Sequence, residues 1–427
     1  MKPLDEKEGK PRAGPSSLQV AGDVIGDTAY SERFVLKILL KLANMDILKE
    51  EVQEKTFEED LCTLWDMTAE RDVVLFLQKH EILKLLNFAL PTIETPRIVE
   101  ILIGIIGNMC CQEEAVESLL KMETFMSFLI EYIKSDDSLI LIQVLRLINS
   151  CLFLASEVDV ATWTDLFIKV GYSNALYFIL KNSSNKDLLV TAMENFNTIC
   201  SYCNTNKTRS NFFGHFVTVD ALESLTVAFS EIVVKQKDLC DKHETERVLI
   251  ISLQITLNLV GFDTKLDVSD DNMEEVAFMI MTVLNYYERK IVVHKEVDMD
   301  LVDIVDSTVS IIKELHLSRT SQPDKYFKPS YNMWKALNAM EDYDKNGLSK
   351  FEDDDKDDLE TFASKLRTPL CSMICLYLDK CSDENLAESI ELLNNDLDEI
   401  LISVMDSDLV SSVTERLSYY RTRIKDC

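Results

Sequence analysis

The sequence predicts an all-α protein built from stacked helical repeats, and three observations support this fold class. Only 10 of the 427 residues are glycine and 8 are proline, and no proline lies between Arg97 and Gln322. A β-rich or doubly wound fold would need more residues that form turns. The hydrophobic content of 47% is enough to bury a large core. The apolar segment Pro96–Cys111 also has several similar segments downstream of it, which is typical of a repeat architecture.

The chain divides into four predicted parts. Residues 1–19 are polar and charged, so we expect a disordered tail. Residues 20–318 are predicted to contain the repeats, beginning with a helix capped by Ser31. Residues 319–358 contain prolines and a dense acidic run, and they are predicted to form an acidic flexible loop. A C-terminal helical block is expected over residues 359–427.

One long apolar helix is expected in each repeat. Pro96 suits the first turn of such a helix because its missing N–H would have no intrahelical partner there. Apolar residues on almost every side indicate a helix that is buried between neighbours. The predicted long helices are Phe57–Thr68, Pro96–Cys111, Ser138–Leu154, Asp187–Cys203, Glu246–Phe262 and Asp298–Leu315.

A polar residue recurs near the end of five of these helices and gives the period of the repeat. Successive polar positions are separated by 42, 41, 48 and 61 residues. The first three spacings lie close to the roughly 40–47-residue period of armadillo and HEAT arrays, and the polar insertion Lys235–Glu244 lengthens the fourth. The sequence therefore predicts an armadillo/HEAT-like α-solenoid. The recurring positions are Asp66, Asn108, Asn149, Asn197 and Asn258.

The net charge of −30 limits the classes of partner. Binding to nucleic acid requires a basic face that neutralises phosphates, so we expect no nucleic-acid ligand. The same charge would be repelled by an anionic membrane surface, and we expect no membrane association. A basic protein partner would be attracted, although the charge also suits a protein that simply needs to be soluble.

The cysteines and the N-terminal sequence predict an intracellular protein. Most of the 11 cysteines lie in apolar helical segments, where a free thiol behaves as a small hydrophobic group. This usage is typical of a reducing compartment. The N-terminus lacks the apolar region of a secretory signal, and no run of 18 apolar residues occurs. We expect the protein in the nucleus, the cytoplasm or both.

Three segments together resemble a known family. VAGDVIGDTAYS at 20–31, LWDMT…DVVLFLQ within 64–78 and IGIIGNMCCQE at 103–113 are similar to the serum amyloid A-like family, also described as synoviocyte proliferation-associated. The resemblance covers about the first third of the chain. It implies an armadillo-type fold, nuclear residence and a non-enzymatic role in promoting cell proliferation. It supplies no catalytic residue and no cofactor.

The five recurring polar residues are the predicted partner-binding site. In armadillo arrays of the importin and catenin kind, asparagines on the innermost helices line a concave groove. An amide both donates and accepts hydrogen bonds, so it can pair with the backbone of an extended peptide. The alternative is that each side chain satisfies local backbone groups at a helix end. The partner would be a protein, either basic or presenting an extended peptide, and the oligomeric state stays open.

The segment Asp342–Asp353 supports an alternative function, a calcium-responsive regulator. Asp342, Asp344 and Asn346, followed by a turn glycine, match the start of a calcium-binding loop. The twelfth position is Asp353, whose side chain is shorter than the usual bidentate glutamate. A flexible acidic loop is the competing interpretation. No pairing of a nucleophile with a base and no phosphate-binding glycine loop occurs, so we predict a non-enzymatic interaction scaffold.

Overall fold

The computed structural model describes residues 23–156, 159–202, 212–262, 268–296, 298–316, 324–345 and 353–425. All regular secondary structure within these ranges is helical, as the sequence predicted. The chain forms two compact units, Met1–Phe125 and Met126–Cys427. The sequence predicted a single array over residues 20–318 and gave no sign of this boundary.

The first unit contains seven helices within its described residues. The long apolar helix is α6, and it packs against α3. The helices are α1 Glu32–Ala43, α2 Met45–Glu51, α3 Lys55–Met67, α4 Arg71–Lys79, α5 Ile82–Ala89, α6 Pro96–Met109 and α7 Glu113–Leu120. An eighth helix, α8 Glu123–Glu131, contains the boundary between the two units.

The helix starts in the first unit follow the signals in the sequence. The Ser31 hydroxyl caps α1 by accepting a hydrogen bond of 3.2 Å from the Phe34 N–H. The same hydroxyl donates to Asp23, so the cap also fixes the chain that leads into the helix. Pro96 occupies the first turn of α6, as its fixed φ angle favours. Both predicted starts are confirmed.

The contact between α3 and α6 depends on Gly104. This residue lies in the middle of α6, where glycine is otherwise unfavourable. A Cβ atom at Gly104 would lie 2.3 Å from Cζ2 of Trp65 on α3. The indole ring therefore occupies the space that any larger residue would need, and the two helices can approach closely only with glycine at this position.

The second unit contains thirteen further α-helices of seven or more residues within its described part. They are α9 Ser138–Leu154, α10 Val160–Val170, α11 Tyr172–Asn182, α12 Lys186–Tyr202, α13 Val219–Phe229, α14 Lys242–Val260, α15 Asp270–Arg289, α16 Asp300–Glu314, α17 Asp324–Lys345, α18 Asp353–Lys380, α19 Asp383–Leu393, α20 Leu397–Ser403 and α21 Ser407–Lys425. One π-helical turn follows α13 and another follows α15.

The helices of the second unit form two adjoining layers. In the first layer α9, α12, α14, α16 and α18 pack in succession. In the second layer α11, α13, α15 and α17 pack in succession. Each long helix is covered by the next, which is how a repeat protein completes the core that a single repeat cannot bury alone. These features define an armadillo-type helical repeat, and the predicted fold class is confirmed.

The predicted acidic loop at 319–358 is wrong over most of its length. Helix α17 covers Asp324–Lys345, and α18 begins at Asp353. The prolines and the acidic run indicate a loop, but large side chains at helical spacing decide the structure. Tyr326, Tyr331 and Trp334 are buried on α17, which packs against α15 and α18. Residues 1–22, including the predicted disordered tail, and 346–352 lie outside the described part of the chain.

The close approach at Gly104 predicts a strong effect of Gly104→Ala. The new methyl group would overlap the Trp65 ring, so we expect a loss of about 1–3 kcal/mol in stability. Thermal unfolding followed by circular dichroism measures this change. Trp65→Phe removes the overlapping part of the indole and should restore part of the loss in the double variant. A loss from Gly104→Ala that is equally large in the native and the Trp65→Phe backgrounds would contradict the proposed clash.

Candidate partner-binding face

The first unit contains two of the predicted partner-binding residues, Asp66 and Asn108. Asp66 is exposed in the last turn of α3. Asn108 is half-buried in the last turn of α6, and its Nδ2 donates to Thr68 Oγ1 at 3.0 Å and to the Trp65 carbonyl at 3.4 Å. The Asn108 amide therefore satisfies groups at the C-terminal end of the neighbouring helix.

Asn149 in the second unit belongs to a buried hydrogen-bond network centred on Asn195. The Asn195 side chain is fully buried on α12, and its Nδ2 donates to Asn149 Oδ1 on α9 at 2.8 Å. The Tyr172 hydroxyl on α11 donates to Asn195 Oδ1 at 2.6 Å. Asn195 Nδ2 also lies 3.4 Å from the Leu145 carbonyl. One amide thus connects three helices from both layers.

Asn197 and Asn258 are half-buried and both contact Gln254. Asn197 Nδ2 on α12 donates to Gln254 Oε1 on α14 at 3.1 Å. Asn258 Nδ2 donates to the Gln254 carbonyl of its own helix at 2.8 Å. The Gln254 side chain is exposed, so this contact lies at the surface. The pair Asn197–Gln254 fixes how far α14 is shifted along α12.

The structure therefore gives the recurring amides a role inside the fold. The partner-binding role of Asp66, Asn108, Asn149, Asn197 and Asn258 stays a prediction. Sequence reasoning missed Asn195, the most buried amide of the group, because it chose Asn197 as the polar position of its helix. A signal existed: Asn195 lies 46 residues after Asn149, within the same repeat period.

Three charged residues lie on the same three long helices, on the N-terminal side of these amides. Glu194 on α12 forms an ion pair with Arg247 on α14. Burial raises the pKa of the Glu194 carboxyl, and the positive charges of Arg247 and of Arg146 on α9 partly oppose that shift. No hydrogen bond or ion pair with another described residue engages Arg146, which is exposed. The Glu194 carboxylate is thus paired with Arg247 and also influenced by the charge of Arg146.

An exposed aromatic side chain completes this surface. Phe153 is 84% exposed near the end of α9. It lies seven residues after Arg146, so the two side chains share one side of the helix. We call this surface of the second unit the long-helix face. It consists of Arg146, Asn149 and Phe153 from α9, Glu194, Asn197 and Ser201 from α12, and Arg247, Gln254 and Asn258 from α14.

A groove of about 700 Å³ lies along helix α11 in the second unit. Its apolar lining includes Ile133, Leu141 and Ile179. Phe178, which is 67% exposed, also lines it. The groove lies on α11 in the second layer and shares no residue with the long-helix face, so it provides a natural comparison surface.

Potential metal ligands in the described residues are dispersed, and Cys371 and Cys375 are buried. No group of three or more His, Cys, Asp or Glu side chains among them could hold a metal ion. Burial raises the pKa of Cys371 and of Cys375 to about 12, so both thiols are protonated at neutral pH. Within the same part of the chain, no helix is long and apolar enough to cross a membrane.

The predicted calcium loop cannot be placed in the structure. The side chains of Asp342, Asp344 and Asp353, and all of Asn346, lie outside the described part of the chain. The backbone places Asp342 and Asp344 in the last turns of α17 and Asp353 at the start of α18. Calcium binding by these residues stays a prediction.

Comparison with curated proteins identifies relatives of part of the chain. It is 33% identical over 181 residues to protein saal1 of Danio rerio, which covers 40% of this chain and 38% of that protein. It is 31% identical over 189 residues to protein SAAL1 of Homo sapiens, with 40% and 39% covered. The chain therefore matches about two fifths of the length of these relatives. These names support the resemblance to the serum amyloid A-like family. No family model matches the chain.

Comparison with solved structures supports the fold. The crystal structure of the SYS-1/POP-1 complex matches with a TM-score of 0.51 at 11% identity. The match covers 89% of this chain and 62% of that one. At this level of identity the similarity concerns the fold alone, and it agrees with the armadillo-type helical repeat described above.

The buried network predicts unequal effects for two asparagines. Asn195→Ala should lower stability by about 1–3 kcal/mol, because it leaves the Tyr172 hydroxyl without its buried acceptor. Asn258→Ala should have a much smaller effect, because its amide bonds only to its own helix. Urea unfolding of both variants measures the difference. Equal midpoints for the two variants would contradict a structural role of the network.

Proposed function

We propose that this protein is a non-catalytic interaction scaffold that binds a segment of a protein partner on the long-helix face. Phe153 carries this proposal. An aromatic ring that is 84% exposed presents a large apolar area to water, and it lies beside amides that can donate and accept hydrogen bonds. Exposed aromatic groups surrounded by polar ones are typical of the energetic centres of protein interfaces.

The fold supports this proposal. Stacked repeats present equivalent positions of successive helices on one continuous surface, which suits an extended partner. SYS-1 was crystallised in a complex with POP-1, so a protein with a similar fold binds another protein. The non-catalytic part of the proposal is supported by this fold and by the buried, protonated thiols of Cys371 and Cys375.

We further propose a nuclear role that promotes cell proliferation, as the family resemblance implies. The support is the similarity of part of the chain to proteins named SAAL1. Tagging the full chain at its C-terminus and imaging cells tests the location, and growth curves after depletion test the role. We expect nuclear fluorescence and slower growth that the re-expressed chain restores. Exclusion from the nucleus or unchanged growth would contradict this proposal.

The exposed aromatic predicts which surface captures partners. Phe153→Ala should remove specific partners from a capture experiment on cell extract analysed by quantitative mass spectrometry. We expect at least a tenfold loss, since buried aromatic anchors at interfaces commonly contribute about 2 kcal/mol or more. Both this ring and that of Phe178 are largely exposed, so neither substitution should unfold the protein.

Phe178→Ala is the matched control, because it removes a similarly exposed ring from the groove along α11. The same partners should remain bound to this variant. Loss of partners with Phe178→Ala and retention with Phe153→Ala would move the binding site from the long-helix face to the groove.

A further inference from the structure

We infer that the partner segment which binds the long-helix face is extended and acidic, although the protein itself is strongly acidic. This inference rests on the proposed function and adds the chemistry of the partner. It arises from the charges on the face: Arg146, Glu194 and Arg247 contribute two positive groups and one negative group. The nine residues that define the face therefore carry one net positive charge in a chain of net charge −30.

Glu244 and Glu246, which precede Arg247 on α14, are paired with Lys186 and Lys290 and so add little to the three charges of the face. No charged residue follows them in Leu147–Leu154, Asn195–Tyr202 or Val248–Val260. The rest of the long-helix face consists of amides, one hydroxyl and the Phe153 ring. A partner carboxylate that approaches these helices here meets two guanidinium groups and no further acidic side chain from the C-terminal turns.

The arginines are also placed for contact from the solvent side. The Glu194 side chain is only 21% exposed, whereas that of Arg247 is 54% exposed. Glu194 thus lies beneath the surface and holds Arg247 through one guanidinium nitrogen. A guanidinium has five N–H donors, so the remaining donors of Arg247 and those of the exposed Arg146 can bind a carboxylate in bidentate geometry.

The helix spacing predicts the distance between acidic residues in the partner. Arg146 and Arg247 lie on α9 and α14, which are separated by α12. Two interaxial distances of about 8–10 Å give about 16–20 Å between the axes of α9 and α14, and both arginine side chains extend toward Glu194 between them. An extended chain rises about 3.3 Å per residue. Two carboxylates that reach both arginines would therefore be at most about five or six residues apart.

The amides suit an extended rather than a helical segment. Asn149 uses its oxygen inside the fold, and its nitrogen has no partner among the described residues. Asn258 uses its nitrogen, and its oxygen has no partner within the same part of the chain. The Asn149 nitrogen can therefore donate a hydrogen bond to a partner, and the Asn258 oxygen can accept one. The backbone of an extended peptide needs both kinds of hydrogen bond.

Selection from a phage library of random 12-residue peptides tests this inference on the full chain. We expect enrichment of peptides with two Asp or Glu residues no more than about six positions apart. The same selection on Arg146→Glu should lose this enrichment. Arg289→Glu is the matched control, since Arg289 is also exposed but lies on α15, and it should retain the enrichment.

Binding measurements then test the role of each charge. A fluorescein-labelled version of the most enriched peptide should bind Arg146→Glu roughly tenfold more weakly, as expected for the loss of one charge-assisted contact. Glu194→Gln should bind it more tightly, because the internal carboxylate no longer competes for the arginines. A peptide whose glutamates are replaced by glutamine should bind the Glu194→Gln variant no more tightly than it binds the native protein. Circular dichroism confirms that each variant is folded.

The outcomes separate the two proposals. Enriched peptides that are basic or neutral, but still depend on Phe153, would overturn the acidic partner and leave the proposed function standing. Peptides whose binding is unaffected by Arg146→Glu and by Phe153→Ala, or the absence of any enriched peptide, would overturn the long-helix face as the binding site. Weaker binding to Glu194→Gln would also contradict the charge assignment.

Discussion

The packing of each long helix against the next is the constraint on which the second unit depends. Helices α9, α12 and α14 bury their apolar sides against one another, and Asn195 connects α9, α11 and α12 through hydrogen bonds inside that contact. A buried amide is stable only where its partners are in place. The network therefore fixes α9, α11 and α12 relative to one another, and the contact between Asn197 and Gln254 positions α14 against α12. The positions of the exposed side chains on the long-helix face follow from these contacts.

The same constraint explains why the sequence predicted the fold well. Apolar segments with a period of about 40 residues have only one way to bury their surfaces, which is stacking in order. Their bounds follow from local signals such as the Ser31 cap and Pro96. Where residues that favour a loop also carry large side chains that can pack in the core, the packing decides the structure. The prolines and acidic residues of α17 indicated a loop, but buried Tyr331 and Trp334 make it a packed helix.

The candidate site was harder to predict. The repeat period locates a residue along the chain, but it does not show which side of its helix the side chain lies on. Asn195 and Asn197 are two positions apart, so they point to different sides of α12. One is fully buried and the other is half-buried at the surface. The pairing of Glu194 with Arg247, 53 residues apart, depends on the shift of α14 along α12. The insertion between the two helices hides that shift in the sequence.

Net charge and local charge lead to opposite expectations for the partner, and distance decides between them. The charge of −30 is spread over the whole chain, and at physiological salt its influence on a bound group falls off over about 8 Å. A carboxylate that contacts Arg146 and Arg247 lies within this range of both, and Glu194 is the one acidic residue of the long-helix face. The acidic surface would slow the approach of an acidic partner, whereas contacts with Arg146 and Arg247 would hold it once bound. Such binding gains selectivity, because only a segment with correctly spaced carboxylates offsets the general repulsion.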